Sequence, residues 1–185
     1  MNLEKYLKID KQNFDDPDIN WGDHPLHYLA RYCEFAQKDF EGAIKIYGVV
    51  DPLNNYQQTP LIAAAHSLWE NNYPYFGWQS FLDVGRCLIE KGANLKLTDI
   101  RGWTATQYTI FWFMGIYRFD GEKQTFDLWG NTKSEDPNFQ SLRREIIRLF
   151  HMYDKELFNS IRSHPAISRA ASSYPIDDIE FFMSL

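Results

Sequence analysis

Thr59-Pro60-Leu61-Ile62-Ala63-Ala64-Ala65 is the clearest copy of a phrase that this chain writes three times. Thr59 before Pro60 reads as a helix N-cap, because its hydroxyl can accept from the first free backbone amides. Pro60 follows where its missing N–H costs nothing and its fixed φ suits the first helical turn. Leu61 and the three alanines then give a short helix with one small, close-packing face. Upstream, the same place is held by His24-Pro25-Leu26-His27-Tyr28-Leu29-Ala30; downstream, by Thr104-Ala105-Thr106-Gln107-Tyr108-Thr109-Ile110. The middle copy continues through Val84-Gly85-Arg86-Cys87-Leu88-Ile89-Glu90-Lys91-Gly92-Ala93-Asn94, a second helix that Gly92 stops. Glycine is the residue that most readily takes the left-handed C-terminal conformation. Asp99 and Gly102 then mark a tight turn before the third copy.

Each copy is therefore a helix, a turn, a second helix and a long hairpin-like connection. No such unit can hide its own apolar face, so units must stack. The cap positions 24, 59 and 104 lie 35 and 45 residues apart. In the first unit His24 stands in place of Thr, and a second helix is predicted over residues 40–47, ending at Gly48. The third keeps Asp99, Gly102 and Thr104 but lacks the Pro, Leu and His.

An Asp and a Gly in a turn, then Thr-Pro-Leu-His, then a second helix ending in Gly-Ala: this order resembles the ankyrin repeat, a unit of about 33 residues. The resemblance implies an all-α fold, an ankyrin-type helix-turn-helix repeat solenoid with hairpin-like connections and two loop insertions. It implies one domain over residues 1–185: a helical cap at 1–16, repeats at 17–52, 53–97 and 98–153, and a degenerate cap at 154–185. The insertions fall at 71–80 and 118–139. The resemblance also implies binding of another protein, without catalysis or cofactor. In the family, residues around the turn and late in the first helix line the concave face. Carried across, these are Asn20, Trp21, Asp23, Arg31 and Tyr32 in the first unit. They are Asn55, Tyr56, Gln58, His66 and Ser67 in the second, and Ile100, Arg101, Trp103, Phe111 and Trp112 in the third. His27 falls where the family uses a histidine to tie adjacent loops by hydrogen bonds.

The insertion at 71–80 reads Asn-Asn-Tyr-Pro-Tyr-Phe-Gly-Trp-Gln-Ser. Loops run over the surface, so Tyr73, Tyr75, Phe76 and Trp78 cannot all be buried cheaply. They form either a lid folded back on their own unit or a recognition loop, since Tyr and Trp supply large contact area at low entropy cost. The recognition reading makes Trp103, with Tyr75 or Trp78, the anchor of the partner. In the second insertion Phe119-Asp120-Gly121-Glu122 reads as a two-residue hairpin turn. Helical periodicity runs over 2–14 and restarts over 142–153 through Leu142, Ile146, Leu149 and Phe150. More helix follows around Leu157, Phe158 and Ile161, broken by Pro165 and Pro175, with a last short helix at 178–183.

Composition narrows the rest. Apolar residues make up 44% of the 185, against disorder, and aromatics 17%. A net charge of −6 disfavours nucleic acid, whose phosphates need a basic footprint, and suits a basic protein partner. No run of 18 apolar residues predicts a membrane span, and the N-terminus has no signal-peptide core, so a cytoplasmic protein, monomeric when free, is expected. Cys33 and Cys87 read as reduced core thiols. Asp16-x-Asp18-x-Asn20 opens like a calcium loop, but Trp21 and His27 stand where that motif needs Gly and Glu. His24, His27 and Cys33 have the residue types of a metal site, yet a structural role for both histidines is the stronger reading. There is no phosphate loop, nucleophile elbow, Cys-x-x-Cys or paired-carboxylate cleft, and Asp177-Asp178 reads as helix N-terminal charge. The expectation is a dedicated inhibitor, an immunity protein or antitoxin that occludes the site of a basic toxin. A host-directed effector or regulatory adaptor is the alternative, with an enzyme of unrecognised type behind both.

Overall fold

The computed structural model describes residues 22–32, 37–69, 77–114, 116–120, 125–128, 137–163 and 181–185. Their regular elements are helices apart from one two-stranded hairpin. In chain order they form α1 (Pro25–Tyr32), α2 (Gln37–Tyr47), α3 (Pro60–Trp69), α4 (Gly77–Glu90) and α5 (Ala105–Phe113). Then come β1 (Ile116–Asp120), β2 (Thr125–Leu128), α6 (Pro137–Tyr153) and α7 (Lys155–Arg162). The chain divides into two compact units, Met1–Ala105 and Thr106–Leu185. The proposed N-terminal cap, Trp21, Cys33, Tyr73, Tyr75, Phe76, Pro165 and Pro175 lie outside the described residues.

The start of α3 matches its sequence. Ile62 N–H donates to Thr59 Oγ1 at 3.2 Å, and Ala63 N–H to Thr59 O at 2.8 Å. At α1 the cap is built from imidazoles. Leu26 N–H donates to His24 Nδ1 at 3.2 Å, while His24 N–H donates back to His27 Nδ1 at 3.1 Å. This is the reciprocal logic of a capping box, in which two orphan amides are satisfied at once. With Nδ1 accepting, His27 Nε2 carries the proton and donates to Gln58 O at 2.7 Å. His27 thus joins α1 to the turn before α3.

Packing in the first unit repeats as the sequence does. α1 lies along α3, α2 touches α4, and each first helix packs on the second of its own pair. α3 is the centre: Leu61, Ile62, Ala63, Ala64, Ala65 and Leu68 are all buried. A helix buried on nearly every side is an interior one. Phe40, Phe81, Leu82 and Leu88 close the core from α2 and α4. Past α4, Gly92 N–H donates to Ile89 O at 3.0 Å and Ala93 N–H to Leu88 O at 2.9 Å, which ends the helix where expected. Asn94 N–H then donates to Asp51 Oδ2 at 2.7 Å, joining the two long connections. Cys87 is a buried free thiol whose pKa burial pushes up, as suits an inert core cysteine.

Several bounds differ from the sequence reading. α2 begins at Gln37, not Phe40. α4 begins at Gly77, so Gly77 to Ser80 are helix rather than loop. α6 begins at Pro137, five residues before Leu142. The hairpin forms, but with Asp120 opposite Thr125, leaving four residues between the strands where a two-residue turn was expected.

In the second unit Tyr108, Ile110, Phe113, Ile146, Phe150, Phe158 and Phe182 are buried. Residues 181–184 are helical, and the Phe182 ring lies 5.7 Å from Phe158 and 6.5 Å from Phe113. Arg143, itself buried, donates from Nη2 to the Phe113 carbonyl and lies over the Phe113 ring at 4.9 Å. It satisfies a carbonyl that the end of α5 leaves without a helical partner. Thr106 Oγ1 donates to the buried Asp154 Oδ2 at 3.0 Å, joining the start of α5 to the junction of α6 and α7. Among the described residues no helix is long and apolar enough to cross a membrane.

Candidate protein-binding face

Two turns with one internal wiring set the face. In the first, Asn54 Oδ1 accepts from Tyr56 N and Gln58 N, both at 2.9 Å. Gln57 N–H donates to Asn54 O at 2.9 Å, and Asn54 N–H to Gln58 O at 3.1 Å. In the second, Asp99 Oδ1 accepts from Arg101 N at 2.9 Å and Trp103 N at 3.1 Å. Gly102 N–H donates to Asp99 O at 2.9 Å, and Asp99 N–H to Trp103 O at 3.0 Å. Asn54 and Asp99 are equivalent, as are Tyr56 and Arg101, Gln58 and Trp103, and Thr59 and Thr104. Ile100 N–H donates to Tyr56 O at 3.0 Å, so one turn is pinned beside the other.

The expected contact residues sort by depth. Arg31 donates to Asp23 Oδ2 at 2.7 Å and to Gln58 Oε1 at 2.5 Å, and Asn54 Nδ2 donates to Asp23 Oδ1 at 2.8 Å. Arg31 and Gln58 are 6% and 2% exposed, so both are internal ties between α1 and the next turn, not free contacts. Phe111 and Trp112, expected at the surface, are buried in the second unit, with the Arg143 guanidinium 5.5 Å from the Trp112 ring. Trp78 is half-buried in the first turn of α4. Tyr32 ends α1, and its side chain, like Asn20, Trp21 and Tyr75, lies outside the described residues. Ser67 is half-buried on α3, and Asn55 and Ile100 are exposed at the turn tips.

Four side chains touch in sequence, and the backbone closes them into a ring. Arg101 Nη1 lies 3.3 Å from His66 Nε2. A guanidinium only donates, so His66 accepts there. The His66 ring stacks on Trp69 with centroids 5.8 Å apart, and Trp69 meets Trp103 edge-to-face at 5.7 Å. Arg101 and Trp103 rejoin through their backbone amides, both of which donate to Asp99 Oδ1. His66 is buried, Trp69 and Trp103 are half-buried, and Arg101 is exposed. The result is an aromatic cluster with a cation at its edge.

Compared with protein-family models, curated proteins and solved structures, the chain matches none.

Trp69 is the member of the ring that sequence reasoning missed. The signal was its place three residues after His66 on a helix, where side chains share a face. Asn54 was missed as well, and its likeness to Asp99 is visible only when the two turns are aligned on the Thr59 and Thr104 caps.

Proposed function

We propose that this chain is a non-catalytic protein-binding module of ankyrin-repeat type. Its role is that of a dedicated inhibitor, of the immunity or antitoxin kind, which neutralises another protein by covering its site. The observation that carries the reading is the pair of identically wired turns, pinned to each other by Ile100 and Tyr56 and holding half-exposed aromatic rings at their edge. Helix pairs stacked first on first and second on second support the ankyrin-type solenoid, because that is how such repeats bury a continuous core.

Dedication to one partner is favoured by unequal repeats. α1 and α2 have 8 and 11 residues, against 10 and 14 in α3 and α4. A general scaffold gains from regular stacking, whereas one fitted to a single surface does not. Interface energy concentrates in a few aromatic and Arg side chains, which makes Trp103 the anchor.

The test is to recover the partner by pull-down from the native cell and titrate it by calorimetry. Trp103→Ala should weaken binding by about 2 kcal/mol or more while the helical signal stays intact. Unchanged affinity in the folded variant moves the binding site off this face. A partner that keeps its full activity in the complex replaces the inhibitor by an adaptor.

A further inference from the structure

The guanidinium of Arg101 is exposed, and its contact with His66 Nε2 uses one of five N–H donors. It makes no ion pair among the described residues. The carboxylates nearest in the repeat pattern are committed elsewhere. Asp99 is buried, with Oδ1 turned inward on the amides of its own turn, and Asp23 is taken by Arg31 and Asn54. The turn-and-first-helix face therefore presents a cation, although the chain as a whole carries −6.

We infer that the partner meets this face with an acidic side chain, whose carboxylate pairs with Arg101 while a neighbouring apolar or aromatic side chain lies against Trp103 and Trp69. The inference rests on the protein-binding reading above and names the chemistry of its contact. A planar guanidinium fork matches a carboxylate with two parallel hydrogen bonds. Trp69, stacked on the His66 ring that Arg101 contacts, and Trp103 against it exclude water on docking and so strengthen the pair. Arg101 is also held in advance, by His66 at its tip and by Asp99 at its backbone. Less rotamer freedom is then lost on binding. A phosphate offers the same fork a match, but an acidic chain repels the rest of a nucleic-acid backbone.

A displayed library of random short peptides, selected on the immobilised full chain, tests this without knowing the partner. Wild-type protein should enrich sequences with Asp or Glu next to an apolar or aromatic residue. Arg101→Gln should lose the acidic preference and keep the apolar one, and Arg101→Glu should enrich Lys or Arg in its place. The best wild-type peptide should bind Arg101→Gln about tenfold more weakly, the size of a charge pair between the exposed and the fully desolvated limits. Peptides that are lost with Trp103→Ala yet indifferent to Arg101 overturn this inference alone. A library from which wild type retains nothing that Trp103→Ala loses overturns the reading that this face holds the partner, and this inference with it. Retention of a single-stranded oligonucleotide that Arg101→Gln abolishes, with no acidic peptide enriched, also overturns it.

Discussion

Gln57 sits where the neighbouring turns have Gly22 and Gly102, with φ of 56° against 60° and 78°. A side chain in the left-handed region costs about 1–2 kcal/mol, partly offset because glycine has more freedom to lose on folding. Gln57→Gly should therefore stabilise the protein by about 0.5–1 kcal/mol, read as a raised denaturation midpoint with an unchanged slope. A loss of stability would mean that the Gln57 side chain supplies a contact that outweighs the strain. His27 gives the second residue-level test. Burial lowers its pKa below the ordinary 6.5, against the opposing pull of the Gln58 carbonyl and the Asp23 charge. Below 6.5 the unfolded chain binds a proton that the native imidazole refuses. Stability should then fall as pH drops from 6.5 toward the folded pKa and level off beneath it. Burial lowers His151 as well, so the measure is the difference between wild type and His27→Gln. If the two lose stability in parallel between pH 7 and 5, His27 is not the titrating group. Only the second effect was half visible in sequence: the cap position could be read, but the imidazole capping pair at His24 and His27 needed the geometry.

At the scale of elements, Leu61 is the test of the stack. It is 2% exposed on the central helix, which packs against both α1 and α4. Leu61→Ala should cost on the order of 2–5 kcal/mol, the range for truncating a buried leucine, and the loss should reach both neighbours because they share that core. A change within about half a kcal/mol, typical of a surface position, would remove Leu61 from the seam. α3 was legible because its signals are local: an N-cap, a proline at the first position and a run of small residues. The start of α4 was not, since Gly and aromatics are poor helix formers and the stretch 71–80 reads as loop. What extends the helix is tertiary, with Ser80 and Phe81 buried, helped by Gln79 donating to the Asp83 carboxylate one turn on at 3.2 Å. α6 carries a start signal of its own. Pro137 is the residue that opens it, a position where proline is at home, but the apolar period from Leu142 onward drew the boundary too late.

For the whole molecule, sequence position sets the register of the turns but not the depth of each side chain. That is why Arg31 and Gln58, at contact positions by register, turn inward, while the half-buried Trp69 joins the ring unannounced. Charge has the same two levels. The net −6 belongs to the whole chain and acts across about 10 Å at 0.1 M salt; Arg101 acts only in contact. The two should separate kinetically with a basic partner. Raising salt from about 0.05 to 0.5 M screens the long-range field, so it should slow association strongly and change dissociation little. Arg101→Gln should do the reverse, speeding dissociation while leaving the salt dependence of association nearly intact, because one charge at the face adds little to the field that steers the encounter. Stopped-flow association and dissociation rates over that salt range, for wild type and variant, decide it. Salt sensitivity confined to dissociation would mean that no acidic field guides the partner in. A variant whose association alone changes would make Arg101 part of the steering field instead of the contact.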